Sequence, residues 1–139
     1  MSLPARPPAA AVYVFDASSL INLEKDGRSL SVLDSLAGRM FIPHKIAGEV
    51  DDPRSALGRW LLRNNRCVTQ LLPPAEHQLY YQFLTQTDPK IHDGEATALA
   101  VALNRGATLV IDDNTAKKKA ESHGVRCLSV GEFLGQALI

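Results

Sequence analysis

Short apolar runs that favour β-structure alternate along this chain with segments that have helical spacing. The runs lie at residues 12–15, 40–42, 68–72, 108–111 and 125–128. A short run without polar positions, such as 12–15, is typical of a strand that is buried on both faces. Buried strands that alternate with helices predict an α/β fold with a mostly parallel central sheet flanked by helices.

Proline, glycine and serine residues mark where helices begin and end between these runs. Helices are expected at residues 20–24, 30–37, 43–52, 55–65, 75–85, 95–103, 115–122 and 130–137. Ala, Leu and Val fill almost all of 95–103, so this helix is expected to be buried. A chain of 139 residues suits a single domain. We assign that domain to residues 12–139 and expect the proline-rich stretch 1–11 to be a flexible lead-in.

Charge and composition argue against several functional classes. The 15 basic and 15 acidic residues give a net charge of zero, which argues against binding nucleic acid through overall charge but says nothing of local patches. The sequence has no apolar stretch of about 18 residues, so neither a membrane span nor a membrane partner is expected. The two cysteines, Cys67 and Cys127, are far apart and indicate neither a zinc site nor a disulfide framework. That usage fits a cytoplasmic location.

Acidic residues stand where four of the predicted elements begin or end. They are Asp16 after the first strand, Glu49 in the helix opened by Pro43, Asp93 and Glu95 at the start of the buried helix, and Asp112 and Asp113 after the fourth strand. Sites of parallel α/β proteins form at the carboxyl ends of the strands. Gathered carboxylates repel one another, and a divalent cation held by oxygen ligands relieves that repulsion. The set therefore predicts a metal-dependent nuclease that uses Mg²⁺ or Mn²⁺.

Each acid also has an ordinary structural explanation. Asp16 can cap the helix that follows it, and a single helical glutamate such as Glu49 is usually solvated. The side chains of Asp93 and Glu95 would point about 200° apart around a helix, so the two residues are not expected to have the same role. We favour Glu95 as the ligand because it shares the buried face, and we assign Asp93 to a helix cap or to the outer shell of the metal. The pattern does not choose between Asp112 and Asp113.

These segments resemble the PIN-domain family of ribonucleases, particularly the VapC-type toxins of toxin–antitoxin pairs. The resemblance covers most of the chain, from Val12 onward, and rests on Val-Phe-Asp-Ala-Ser-Ser-Leu-Ile at 14–21, Ile-Pro-His-Lys-Ile-Ala-Gly-Glu-Val at 42–50, Gly-Glu-Ala-Thr-Ala-Leu-Ala at 94–100 and Gly-Ala-Thr-Leu-Val-Ile-Asp-Asp at 106–113. The third of these is similar to a subgroup with a Gly-Glu-Ala signature. The chain departs from the family at Ile111, where a threonine is usual, and many relatives use Asp as the third acid.

The resemblance implies a Rossmann-like PIN domain that hydrolyses RNA phosphodiester bonds with one or two Mg²⁺ or Mn²⁺ ions. Asp16 would be the central ligand, Ser18 would help to hold the metal shell, and the cluster would be completed by Glu49, Glu95 and Asp113 or Asp112. The family also implies a homodimer and a small antitoxin whose tail blocks the site. Two alternatives stay open: a PIN-like scaffold that binds RNA or a protein without cleaving, and a PIN nuclease that matures a cellular RNA outside any toxin pair.

Basic residues on two predicted helices are candidates for holding RNA. Arg59 and Arg63 are four residues apart and form a stripe, for which a solvated helix face is an equally good explanation. Lys117, Lys118 and Lys119 follow Asp113 closely, and this position favours contacts with phosphate groups. The four histidines have no zinc-site spacing and are expected at the surface.

Overall fold

The computed structural model describes residues 12–25, 29–36, 39–50, 52–69, 73–86 and 91–137. Its strands are β1 (Tyr13–Phe15), β2 (Met40–Pro43), β3 (Val68–Thr69), β4 (Thr108–Val110) and β5 (Cys127–Leu128). They form one five-stranded sheet in the order β3-β2-β1-β4-β5, and every neighbouring pair is parallel. The prediction of an α/β fold with a parallel sheet flanked by helices is confirmed.

Helices connect the strands and cover both faces of the sheet. They are α1 (Ala17–Lys25), α2 (Ser29–Leu36), α3 (His44–Glu49), α4 (Ala56–Arg63), α5 (Pro74–Gln86), α6 (Asp93–Arg105), α7 (Asn114–Ser122) and α8 (Val130–Ala137), with a short 3₁₀ helix at Asn65–Cys67. Each matches a predicted helix, although the ends differ. Helix α4 is shorter than expected because Ser55 caps it, accepting the Gly58 N–H at 2.9 Å, and the chain tightens into the 3₁₀ turn after Asn64. None of the described helices is long and apolar enough to cross a bilayer.

The proposed flexible lead-in, residues 1–11, lies outside the described residues, so that assignment stays a prediction. The same is true of the domain boundary at residue 139.

The sheet separates two apolar layers because successive strand side chains point to opposite faces. Tyr13 and Phe15 of β1 pack on one face, where both rings meet Phe133 edge to face at centroid distances of 5.3 and 5.1 Å. Val14 points to the other face and joins a cluster that contains most of α6. Residues 96–102 of that helix are all buried, as the sequence predicts. Helix α6 packs against β1, β2 and β4, so its N-terminus is fixed relative to the strand ends.

A buried ion pair joins α5 to α6. Glu76 is fully buried, and Arg105 meets both of its carboxylate oxygens, with Nε at 2.7 Å and Nη2 at 3.1 Å. Asn104 Nδ2 donates a third bond to Glu76 at 2.9 Å. The Arg105 guanidinium also stacks over the Phe41 ring, 4.5 Å from its centroid. The pair therefore satisfies a carboxylate that would otherwise be costly to bury.

Candidate metal centre

Two adjacent strands at the middle of the sheet bring together the first and last of the acidic residues predicted to form the site. Phe15 of β1 pairs in register with Val110 of β4. Asp16 and Ile111 therefore leave the sheet side by side at its carboxyl edge. Asp112 and Asp113 follow directly. The N-terminus of α6, which carries Glu95, approaches the same edge.

Asp16 is almost buried, with 5% of its surface exposed. Its Oδ1 accepts the Ser19 N–H at 2.9 Å, which caps α1, and its Oδ2 accepts the Ser18 hydroxyl at 3.0 Å. The structure therefore gives Asp16 the capping role that the sequence left open. Within the described residues no basic side chain forms an ion pair with it. A buried carboxylate held only by an amide and a hydroxyl is well suited to a cation.

Glu95 is the acid whose surroundings point most clearly to a shared site. Burial raises the pKa of its carboxyl above the ordinary value, and the negative charges of Asp113 and Asp16 raise that pKa further, against the lowering effects of His92 and Lys119. These carboxylates are therefore close enough to repel. The depression beside Glu95 is lined by a mixed set of residues: Ile91, His92, Asp113, Thr115, Ala116 and Lys119.

The adjacent acids after β4 have different partners. Both carboxylate oxygens of Asp112 accept hydrogen bonds from other parts of the fold. Oδ1 accepts the Val130 N–H at the start of α8, and Oδ2 accepts a hydrogen bond from Asn22 Nδ2, each at 2.7 Å. Asp113 caps α7 through Oδ1 alone, accepting the N–H groups of Thr115 and Ala116 at 2.9 and 3.1 Å. Of the two, Asp113 is the residue that lines the depression beside Glu95 and raises the pKa of Glu95.

Asp93 faces away from this group. Its Oδ1 accepts hydrogen bonds from the Tyr80 hydroxyl and from Lys45 Nζ, the second at 3.1 Å. Lys45 also bonds the Tyr80 hydroxyl at 3.1 Å. The expectation that Asp93 caps α6 is wrong, because the cap is His92. Asp93 instead joins α6 to α3 and α5.

The partners of Asp93 predict a pH-dependent contribution to stability. The Tyr80 hydroxyl, and then Lys45, lower the pKa of Asp93 below its ordinary value of 3.8. A lowered native pKa means that the ionised carboxylate stabilises the fold above that value, and that this contribution is lost as the pH falls through the native pKa. We therefore expect Asp93→Asn to destabilise the protein at pH 6 and to lose this effect progressively below pH 3.8. Urea unfolding of both proteins across pH 6 to 3 would measure it, and a pH-independent difference would contradict it.

Glu49 lies over a glycine at the start of α6. It lies at the end of α3, and its Oε1 is 2.7 Å from the point that a Cβ at position 94 would occupy. Ile46 Cδ1 is 3.1 Å from the same point. The absence of a side chain at Gly94 therefore lets the Glu49 carboxylate lie against the first turn of α6. Glu49 is exposed, as expected of a solvated helix residue, yet it lies beside the residue that precedes Glu95.

Four of the basic residues proposed to hold RNA do not line the depression beside Glu95. Lys117 pairs with Glu132 at 3.0 Å, Lys118 is exposed, and Arg63 is exposed on α4. Arg59 donates to the Arg54 carbonyl at 2.9 Å. Helix α4 meets α1 where Glu24 accepts the Leu57 N–H at 2.7 Å, about 12 Å along α1 from Asp16. The arginines thus lie outside the acidic group.

Two residues that line the pocket were not assigned to the metal centre from the sequence. Lys119, which was expected to contact phosphate, lines the pocket and lowers the pKa of Glu95. Its position follows from helical spacing, because Lys119 lies three residues after Ala116, a buried residue of α7. His92 lies 3.1 Å from Glu95 Oε1 through Nε2. It is a surface residue, as expected, but no sequence pattern signals this contact.

The residues present fit a hard divalent cation in chemistry more than in geometry. The donor set consists of carboxylate oxygens with a nearby hydroxyl, the ligands that Mg²⁺ and Mn²⁺ prefer. Among the described residues, however, no three His, Cys, Asp or Glu side chains converge closely enough to hold a metal ion. A cation near Asp16, Glu95 and Asp113 would therefore be held by some of these carboxylates directly and by others through bound water, which Mg²⁺ commonly keeps.

Fold and site together define an α/β protein with an acidic pocket at the carboxyl edge of its central strands. A family model described as a PIN domain matches residues 12–135. The chain therefore belongs to the PIN-domain family, whose fold is of the nuclease type. Its structure is similar to the crystal structure of PAE2754 from Pyrobaculum aerophilum, with a TM-score of 0.65 and 17% identity over 92% of this chain and 97% of that one. No curated protein matches the sequence.

Proposed function

We propose that this PIN domain is an endoribonuclease that depends on Mg²⁺ or Mn²⁺. The observation that carries the proposal is that Asp113 lines the same pocket as Glu95, and that the negative charges of Asp113 and Asp16 both raise the pKa of the Glu95 carboxyl. Such an arrangement is costly in the absence of a cation, and active sites are where costly arrangements of this kind are found.

The acidic residues divide into those that would hold the cation, directly or through water, and those that support the site. Asp16, Glu95 and Asp113 would hold the cation, with Glu49 completing the set from α3. The Ser18 hydroxyl keeps Asp16 oriented. Asp112 fixes α8 to the strand end, and Asp93 fixes α6 to α3 through Lys45. A bound divalent cation would supply an activated water and polarise the phosphodiester, so no protein nucleophile is required.

The pocket also contains a group that suits the negative charge of RNA. Lys119 stands beside the carboxylates, and Lys118 is exposed on the same helix. Contacts of this type position a phosphate without reading the base sequence. Arg59 and Arg63 would contact RNA only at a distance from the acids, on the outer face of α4.

The biological setting follows from the resemblance to VapC-type toxins. We propose the toxin of a type II toxin–antitoxin pair, acting as a homodimer and inhibited by a small antitoxin, with the Gly-Glu-Ala segment at 94–96 as the subgroup signature. A nuclease that matures a cellular RNA would use the same chemistry. An antitoxin reading frame beside the gene would distinguish the two settings.

The adjacent acids Asp112 and Asp113 provide a matched test of the nuclease. Asparagine caps helices as well as aspartate does, so Asp113→Asn should keep the fold, remove one ligand charge and reduce RNA cleavage at least about tenfold. Asp112→Asn should leave cleavage nearly unchanged and cost about 1 kcal/mol of stability through its weakened contacts. The assay would follow total bacterial RNA in Mn²⁺ or EDTA, with fragment ends mapped by sequencing. Equal cleavage by wild type and Asp113→Asn would contradict the assignment of Asp113.

A substitution at Gly94 tests whether Glu49 belongs to the site. In Gly94→Ala the new methyl group would displace Glu49, while the gain in helix propensity offsets much of the strain, so stability should change by less than about 1 kcal/mol. Cleavage should fall about tenfold or more, because a misplaced group near the reacting atoms is costly. Gly48→Ala is the control, since a Cβ there meets nothing within 4 Å. Similar activity in both variants would remove Glu49 from the site.

A scaffold that binds RNA or a protein without cleaving is the second candidate. It is favoured by the lack of three converging metal-binding side chains within the described residues. If wild-type protein leaves RNA intact in Mn²⁺ yet retains it in a filter-binding assay, this candidate replaces the nuclease.

A further inference from the structure

An unusual residue caps the helix that carries Glu95. Helix N-caps are normally Ser, Thr, Asp or Asn, but α6 is capped by His92, whose Nδ1 accepts the Glu95 N–H at 3.4 Å. The same imidazole reaches the Glu95 side chain, with Nε2 3.1 Å from Oε1. Both ring nitrogens therefore contact one residue.

The two contacts fix the arrangement of the ring. A nitrogen that accepts an N–H carries no proton, so Nδ1 is the bare nitrogen, and in the neutral ring Nε2 carries the hydrogen. In the neutral ring, the nitrogen that carries the hydrogen is thus the one that lies 3.1 Å from Glu95 Oε1, while Nδ1 caps the helix. The Glu95 side chain is 16% exposed, whereas that of His92 is 61% exposed. The ring forms the solvent side of the contact.

We propose that His92 is a positioning residue of the metal centre, which holds the Glu95 carboxylate in the pocket that it shares with Asp113. The inference rests on the proposed function, because it assigns Glu95 to the metal. Without the imidazole, Glu95 would be free to turn away from two like charges. Residues that orient a metal ligand typically contribute 10-fold to 100-fold to metal affinity or activity.

A purely structural role makes a different prediction from a positioning role. Asparagine is a better helix cap than histidine, but it is too short to cap with one atom and also reach Oε1 as Nε2 does. If His92 only caps α6, then His92→Asn should be harmless or stabilising. If it positions Glu95, the same variant should keep its stability and lose metal affinity. The variant His92→Gln makes the opposite change. Its amide nitrogen can replace Nε2 beside Glu95, but glutamine is a poor helix cap.

The experiment uses the full chain and Mn²⁺ alone as the probe. Free Mn²⁺ is measured by electron paramagnetic resonance during titration of wild type, His92→Asn, His92→Gln and the control His77→Asn, which changes an exposed histidine on α5. Thermal unfolding in EDTA is recorded for each. We expect His92→Asn to melt at or above the wild-type temperature and to bind Mn²⁺ about 10-fold or more weakly. His92→Gln should melt lower and recover part of the affinity.

The outcomes separate this inference from the proposed function. Equal Mn²⁺ affinity of His92→Asn and wild type would overturn the positioning role and leave the nuclease proposal standing. Failure of the wild type itself to bind Mn²⁺ would overturn both. Parallel losses of affinity and melting temperature in His92→Asn would show a structural role only and would also overturn the inference.

Discussion

Asp16→Asn should reduce metal-dependent RNA cleavage by more than about 100-fold. Loss of a group that merely orients a ligand costs up to about that factor, so loss of the charge of Asp16, the most buried of the proposed metal ligands, should cost at least as much. The fold should survive, because an asparagine oxygen can still accept the Ser19 N–H that Asp16 accepts at 2.9 Å. Single-turnover cleavage in Mn²⁺, with melting curves, would measure both effects.

Asp34→Asn is the matched control for this prediction. Asp34 is exposed and accepts the Trp60 indole N–H at 2.6 Å, a bond that an asparagine oxygen can also accept. It changes the same charge outside the pocket and should cleave at close to the wild-type rate. Substantial cleavage by Asp16→Asn, at a rate within threefold of the control, would exclude Asp16 as a metal ligand.

Arg105→Leu should have the largest effect on stability, a loss of about 3–5 kcal/mol. The substitution leaves Glu76 fully buried without its cation, and breaking one side of a buried ion pair typically costs this much. Because small domains unfold with only about 5–15 kcal/mol, the variant would be marginally stable. Urea denaturation followed by circular dichroism would give the free energy of unfolding.

The double variant Glu76→Met/Arg105→Leu distinguishes an uncompensated charge from lost packing. Apolar replacement of both partners of a buried pair is often neutral or stabilising, so the double variant should recover most of the lost stability. Arg63→Leu, at an exposed position of α4, should change stability by about 0.5 kcal/mol or less. A double variant no more stable than Arg105→Leu would show that the stacking of Arg105 on Phe41 matters more than the charge.

The fold could be predicted because its strands are signalled locally. The runs around Val14 and Leu109 are short and wholly apolar, and the glycine and serine signals between them separate the helices. From these strands alone, parallel topology places Asp16 and the acids after β4 at one edge. The same apolar composition identifies α6 as a buried helix, and therefore sets Glu95 apart from Asp93.

The side-chain partners of the acids could not be predicted because they come from distant parts of the sequence. Asp93 is occupied by Lys45 and Tyr80, and Asp112 by Asn22 and Val130. Neither pairing has a local pattern. The cap of α6 is not predictable for a related reason: capping preferences favour Asp93, whereas the backbone enters the helix one residue earlier, at His92.

The central position of β1 has a consequence for the order in which the protein assembles. Its neighbours are β2, which follows soon in the sequence, and β4, which lies near the other end of the domain. In a chain leaving the ribosome, β1 can pair with β2 early. Its other edge can pair with β4 only after residues 108–110 have been synthesised. Such long-range pairing slows folding. Asp16 and Asp113 therefore come together only late in synthesis. A nascent or truncated chain that ends before β4 contains Asp16 but lacks Asp113, and so lacks a complete site.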